Sequence, residues 1–330
     1  MQWPVSNRHM QELIPPVDKE ILKKELSRER FVRHVNNGEN HIYLINYHNA
    51  PNVMREIGRL RELTFREAGG GTGLPLDIDE NDTCENSYDQ LITWNPKDEE
   101  IIAGYRLIHC RHAGLNEHGE INLSTAHLFK FSEKFKGDYL PYTIELGRSF
   151  VQPKYQPGNN NRKGLFSLDN LWDGLGAMVV LNPDVKYLFG KVTMYPHYNA
   201  EARDLLLFFM NYYFPDTENL VTPIHTLSYK GSVKGYENLF KGLEYKEGYK
   251  VLNSKVRQLG ENIPPLINTY MNLSPTMKTF GTALNNEFGA VEETGILITL
   301  ADIYETKKHR HIETYQRDRH FDKADAQDHN

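Results

Sequence analysis

Apolar and polar positions along the chain follow two periods, and the switches between them mark out the elements. His41-Ile42-Tyr43-Leu44-Ile45-Asn46-Tyr47 is rich in β-formers and predicts a strand. From Met54 to Glu67 apolar residues recur at Ile57, Leu60, Leu63 and Phe65, a helical spacing stopped by Gly69-Gly70-Gly71-Thr72-Gly73. Gln90 to Trp94 and Ile101 to Cys110 predict a hairpin turned by Asn95-Pro96-Lys97-Asp98. Thr143 to Val151 predicts a strand, Phe166 to Leu181 an apolar helix, Tyr187 to Met194 a strand and Glu201 to Phe214 a helix. Weaker patterns predict a helix over Ile263 to Met277 and a strand over Gly295 to Leu300.

Upstream, Asp18 is placed to cap a helix with Ile21, Leu22 and Leu26 on one face. Lys19, Lys23, Lys24, Arg28, Arg30 and Arg33 fall on its other face, which is either solvated surface or a docking surface for an acidic partner or anionic headgroups. From Lys307 the chain is charged and His-rich, and its last residues are expected to fray. The order of elements predicts an α/β layer around a mixed sheet.

With 330 residues, one enlarged domain or one domain with an appendage is expected. A hydrophobic content of 39% suffices for a core. The net charge of −6 opposes a nucleic-acid-coating role, which needs a basic field. Cys84 and Cys110 cannot form a disulfide framework or a zinc CxxC pair and are expected to be free thiols. The first sixteen residues lack the apolar core of a signal peptide, and no apolar run approaches the ~20 residues of a spanning helix. A cytoplasmic protein is expected, any membrane contact being peripheral.

Four stretches can carry chemistry. Arg61 and Phe65 share a helix face. The acidic loop from Asp77 to Asp89, with Asp79 and Asp82, lacks the glycine and terminal glutamate of an EF-hand. It is either a solvated loop with capping aspartates or a carboxylate cluster that binds an amine or holds an arginine, and no metal is expected. Arg106, in the otherwise apolar run Ile101-Ile-Ala-Gly104-Tyr-Arg106-Leu-Ile108, needs a carboxylate that this loop can supply. In Glu145-Leu-Gly147-Arg148-Ser-Phe150-Val151, alternation places Glu145, Gly147 and Ser149 on one face and Arg148 and Phe150 on the other.

Taken in order, Arg61-x-x-x-Phe65, Asp79, Asp82, Tyr88-Asp89, Gly104-x-Arg106-Leu107 and Glu145-Leu-Gly-Arg148-x-x-Val151 resemble the ornithine-lipid-type, or hemolysin-like, N-acyltransferases. These are a GNAT branch related to acyl-homoserine-lactone synthases. Pro264-Pro265-Leu266-Ile267-Asn268-x-Tyr270 is similar to that family's late helix, so the resemblance covers roughly residues 40–315. It implies a GNAT-like mixed twisted sheet flanked by helices, with extensions at both ends. Residues 1–39 would be an arm and basic helix, 40–230 the core, 231–315 a family-specific part and 316–330 a polar tail. It implies transfer of a long-chain, sometimes 3-hydroxylated, fatty acyl group from acyl carrier protein, or from acyl-CoA, to an amino acid such as glycine or ornithine. The product would be a lipoamino acid or aminolipid precursor, and no bound cofactor beyond the donor's phosphopantetheine thioester is implied. Glu145, Arg148 and Asp89 become catalytic candidates. Arg61, Phe65, Asp79, Asp82, Arg106, Phe150 and Val151 become substrate-binding candidates. The partners implied are acyl carrier protein, the acceptor and the inner membrane surface, not nucleic acid.

The acetyl-CoA signature of GNAT enzymes has a counterpart at Arg66-Glu-Ala-Gly69-Gly-Gly71, but it follows the first helix instead of the fourth strand and is read as a decoy. The segment in the correct place, Gln152 to Gly164, carries Arg162, Lys163 and Gly164, which either bind the phosphopantetheine phosphate or form an exposed turn. Direct amine attack is expected, with Glu145 as base or as a salt-bridge partner of Arg106 or Arg61. Arg148 either clamps the acceptor carboxylate or pairs with Asp79 or Asp82. His197 could shuttle protons but is more often a bystander in such a loop. An acyl tunnel lined by Phe150, Leu171, Trp172, Leu175, Met178 and Phe208 is set against plain core. An acetyl-CoA-dependent N-acetyltransferase and a non-catalytic carrier- or lipid-binding protein remain the alternatives.

Overall fold

The computed structural model describes residues 10–115, 119–156 and 166–315. In chain order these form α1 (Lys19–Glu25), β1 (Phe31–His34), β2 (His41–Ile45), α2 (Pro51–Glu67), α3 (Glu80–Thr83), β3 (Asp89–Asn95), β4 (Glu100–His109), β5 (Phe129–Phe131) and β6 (Thr143–Val151). There follow α4 (Ser167–Leu181), β7 (Tyr187–Met194), α5 (Ala200–Tyr213), β8 (Val221–Pro223), α6 (Val233–Phe240), α7 (Tyr245–Gln258), α8 (Pro265–Met271), β9 (Lys278–Asn285), β10 (Val291–Thr299) and α9 (Glu305–Lys308). The chain condenses into two compact units. Of the described residues, one unit holds those in 10–114, 144–156, 166–185 and 304–315, the other those in 115, 119–143 and 186–303. The expected core of 40–230 is thus shared between both, and the second unit is discontinuous in sequence.

In the first unit β1, β2, β3, β4 and β6 pair antiparallel in that order. α2 begins at Pro51, whose missing N–H is harmless at the first helical position. The next two amides, Asn52 and Val53, donate to the Glu25 carboxylate at 2.9 and 2.8 Å, so α1 caps α2 from outside. Val53, Met54, Ile57 and Leu60 of α2 are buried, each contributing about 1.5–3 kcal/mol. α4 covers the other face of the sheet, where Gly174 leaves room for Leu91 and Ile42: a Cβ there would sit 2.8 Å from Leu91 Cδ2.

Asp18 caps α1 as expected, but Ile21 is exposed while Leu22 and Leu26 are buried. The basic run is not one helix face. α1 ends at Glu25, and Arg33 is buried on β1, where its guanidinium donates to His34 O and Asn36 Oδ1. The chain after Lys307 does not fray at once. His309–Glu313 form a π-helical turn, His311 Nδ1 lies 2.7 Å from buried Asp173 Oδ1, and Arg33 stacks over Tyr315.

In the second unit β10 pairs antiparallel with both β7 and β9, and β5 with β8. Phe135, Phe189 and Phe280 meet edge to face on this sheet. Phe209 of α5 packs on Phe240 of α6 and Tyr245 of α7. β9, α6 and α7 have no counterpart among the elements expected from sequence, and the expected 263–277 helix is confined to Pro265–Met271. Met277, Phe280 and Ala283, buried in or beside β9, are spread among threonines and glycine that blur its period.

Gly176 is the tightest of the helical glycines, since a Cβ there would lie 2.0 Å from the His311 carbonyl oxygen. Gly176→Ala is expected to lift the C-terminal turn from α4 and cost about 1–3 kcal/mol of stability, read as a lowered Tm. An unchanged Tm would mean this packing contributes little.

Candidate active site

The loop after α2 is drawn onto the sheet by specific contacts. Asp77 N donates to Gly58 O at 2.9 Å, and a Cβ on Gly58 would meet Ile78 Cγ1 at 2.7 Å. Asp79 and Asp82 then close a reciprocal capping box around α3. Tyr88 N reaches back to Asn81 O at 2.8 Å. The acidic loop is therefore a shaped element, with Asp77 and Asp82 buried.

Three guanidinium groups converge on it. Arg61 of α2 donates to both oxygens of Asp82 at 3.2 and 3.0 Å and to Gln90 Oε1, and both Arg61 and Asp82 are fully buried. Gln90 Nε2 returns a bond to Asp82 Oδ1 at 3.0 Å. Arg106 of β4 reaches both oxygens of Asp79 at 2.7 Å and Asp82 Oδ2 at 3.4 Å. Arg148 of β6 sets Nε 2.9 Å from Asp77 Oδ2 and Nη2 3.5 Å from Asp79 Oδ2. Burial pushes the Asp82 carboxyl up, yet Arg61 and then Arg106 override it and hold the group far below the usual carboxylate range. For Asp77 the balance is reversed: full burial raises it despite Arg148.

Beside this network, Glu145 is fully buried and accepts a hydrogen bond from Tyr88 Oη. The Arg106 guanidinium lies 5.0 Å from the centre of the Tyr88 ring, linking the pair to the aspartates. Cys110 is also buried. Burial, with Glu145 nearby, drives its thiol well above its ordinary value, so it stays protonated and is no nucleophile.

β6 departs from the expected alternation. The register runs Arg106↔Gly147 but Gly104↔Phe150, so Tyr105 faces a bulge of Arg148 and Ser149. Arg148 is one of the few residues other than glycine with positive φ, at 47°. The bulge turns its side chain to Asp79, which also binds Arg106, a residue on the Glu145 face; the opposite face expected for Arg148 is corrected accordingly. Phe150 needs Gly104 opposite it, where a Cβ would sit 2.8 Å from its ring.

Of the candidates, Arg61, Asp79, Asp82, Arg106, Glu145 and Arg148 are brought together. The Arg106 partner expected from the acidic loop is present, whereas Arg61 and Arg106 bind aspartates and Glu145 receives Tyr88. Asp89 faces the α4 side with Leu91, bonds Asn46 at 3.1 Å, and has its carboxyl raised by burial. Phe65 and Phe150 are buried and Val151 half-buried. Arg162, Lys163 and Gly164 lie outside the described residues. The glycine run after α2 is occupied from within: Thr72 N and Gly73 N donate to buried Glu62 at 3.0 and 2.7 Å, the place a pyrophosphate would need. Of the tunnel candidates, Leu171, Trp172, Leu175 and Met178 are buried on α4, and Phe208 stacks on Phe240 in the second unit. His197 is exposed there, stacked on Tyr195. From sequence, Gln90 had no role, Tyr88 entered only as part of the family motif, and Asp77 only as a member of the acidic loop, whose expected hold on an arginine it makes through Arg148. Gln90 carries a usable signal, being a polar residue paired with Arg106 inside an apolar hairpin.

A family model described as Acetyltransferase (GNAT) domain matches residues 60–162. A protein from Phocaeicola vulgatus named Glycine N(alpha)-acyltransferase is 56% identical over 306 residues, spanning 93% of this chain and 94% of its own. One of the same name from Bacteroides thetaiotaomicron is 56% identical, covering 93% of this chain and 91% of its own length. The solved acyl-homoserine-lactone synthase LasI aligns over 48% of this chain and 74% of its own at 16% identity, with a TM-score of 0.33, too weak a likeness to bear on function.

Asp82→Asn leaves two buried cations under-compensated and is expected to cost about 3–5 kcal/mol. Because the Asp82 pKa is lowered on folding, its contribution is present above the ordinary aspartate pKa of about 3.9 and is lost as pH falls. The Tm difference between wild type and Asp82→Asn should be full at neutral pH and narrow on acidification below about pH 4. A gap independent of pH would contradict this.

Proposed function

We propose, from the premise that this chain belongs to the glycine N(alpha)-acyltransferase family, that it transfers a long-chain fatty acyl group from the phosphopantetheine thioester of acyl carrier protein to the amine of glycine. The observation that carries the acceptor is the 56% identity to the named relatives over 93% of the chain. The chain is an acyltransferase of the GNAT class. The glycine ammonium first gives one proton to solvent; the neutral nitrogen attacks the thioester carbonyl, the C–N bond forms and the C–S bond breaks, and the second proton lost by the nitrogen passes to Glu145 and from there to the departing carrier thiolate.

The electrostatics favour that assignment among the clustered carboxylates. Asp82 is held by the Arg61 and Arg106 guanidinium groups, which makes it a weak base, and Asp79 is taken up by ion pairs with Arg106 and Arg148. Glu145 instead receives a neutral phenol. Since Glu145 and Tyr88 are both buried, the proton travels a relay with Tyr88 Oη as its inner link. Arg148 and Asp79 are the solvent-reaching members, with side chains 15% and 33% exposed. Their opposite charges match a zwitterion: Arg148 receives the glycine carboxylate on its planar fork, and Asp79 orients the ammonium.

The test is conversion of glycine and palmitoyl acyl carrier protein to N-palmitoylglycine, followed by mass spectrometry. Failure with glycine while another amine is acylated, or a preference for acetyl-CoA, would overturn the proposal. Glu145→Gln should lower kcat about 10²–10⁴-fold. Arg148→Lys should chiefly raise KM for glycine, and an unchanged KM would remove Arg148 from the acceptor site.

A further inference from the structure

Asp79 and Asp82 meet Arg61 and Arg106 between them, and Asp77 takes no part in those contacts. Among the described residues the Asp77 side chain touches one charged group, the Arg148 guanidinium, with Oδ2 2.9 Å from Nε. It is buried, and neither of its oxygens accepts a hydrogen bond. A carboxylate left so costs the fold stability, and such costs are expected where function requires them. Its place is set from the backbone. Asp77 N donates to Gly58 O at 2.9 Å, and Ile78 is seated so close to Gly58 that a Cβ there would not fit. Arg148, by contrast, has a left-handed backbone, with φ at 47°, which an arginine keeps only when its surroundings hold it. Asp79 holds it weakly. That carboxylate lies 2.7 Å from Arg106 Nη1 but 3.5 Å from Arg148 Nη2, longer than an ordinary N–H···O bond.

We infer that Asp77 is the positioning residue of the acceptor site: by holding the Nε side of Arg148 it fixes the plane and direction of the fork that receives the glycine carboxylate. The inference rests on the acceptor reading proposed above. Two parallel N–H···O bonds form only when the guanidinium and the carboxylate share a plane. A fork turned out of that plane offers one bond in place of two. Asp77 is buried beneath Arg148, whose side chain is 15% exposed, so it acts on the acceptor through the arginine and not by contact. A neutral side chain of the same shape leaves the loop seated on Gly58 and the fork loosely held. The loss then falls on capture of the carboxylate and not on the transfer step, where Glu145 takes the proton. Binding lost equally from ground and transition states raises KM and spares kcat.

The full-length Asp77→Asn, Arg148→Lys and doubly substituted proteins are assayed with varied glycine and saturating palmitoyl acyl carrier protein. Asp77→Asn should raise KM for glycine on the order of tenfold and leave kcat within about twofold. Because Asp77 acts through Arg148, the double variant should show the glycine KM of Arg148→Lys alone. A wild-type glycine KM in Asp77→Asn overturns the inference. So does a loss carried by kcat, or a double variant whose KM is the product of the two single effects. Asp77→Ser, which removes the charge and reduces the bulk, replaces Asp77→Asn where circular dichroism shows that variant unfolded. If neither folds, Asp77 is a structural residue and the inference falls. The two readings fail differently. A wild-type KM in Arg148→Lys overturns the acceptor reading itself, and this inference with it. A raised KM in Arg148→Lys beside an unchanged one in Asp77→Asn overturns only the role of Asp77.

Discussion

A single buried carboxylate, Asp82, ties α2 to the central hairpin. It binds Arg61 of α2 through both oxygens, reaches Arg106 of β4 and accepts from Gln90 of β3, all without solvent. Two guanidinium groups cannot be buried on their own, because each loses hydration worth several kcal/mol. The acidic loop must therefore close over the sheet for the unit to fold, and its capping box delivers Asp79 and Asp82 together. Whatever the net contribution of these pairs to stability, they fix one geometry.

That geometry sets the chemistry. Arg106 is held by Asp79 and Asp82 and in turn lies against the Tyr88 ring, whose hydroxyl is aimed at Glu145. The β6 bulge then turns Arg148 toward the edge where Asp79 is partly exposed. The buried members of the network fix its geometry, and the proposed acceptor site draws on its partly exposed members, Arg148 and Asp79. With the proposed base and acceptor clamp carried on the β3–β4 hairpin and its neighbour strand β6, alignment alone can supply about 7–11 kcal/mol of the barrier.

Much of the first unit was legible because its signals are local. The strand at Thr143–Val151 and the hairpin of β3 and β4 follow from β-formers and a turn, and the lone Arg106 in an apolar strand required the acidic loop that it has. What escaped depends on tertiary structure. Alternation fails at Arg148 because one extra residue is inserted there; Gly147 within the strand does signal a bulge or a close approach, but no local pattern puts the positive φ on the arginine that follows it. Tyr88 and Gln90 gain their roles from partners 57 and 29 residues away. The basic run near the N-terminus read as one face, yet a strand begins within it and buries Arg33. The C-terminal stretch from Lys307 read only as charged and His-rich, with nothing local to signal that His311 is seated on Asp173.

The central claim is that Tyr88 and Glu145 act as one proton-accepting unit held by the aspartate–arginine network. A double-mutant cycle of Tyr88→Phe and Glu145→Gln on kcat for glycine acylation tests it most directly. Residues that work as a unit lose function non-additively, so the double variant should be scarcely slower than Glu145→Gln alone. Losses that simply multiply would contradict the account.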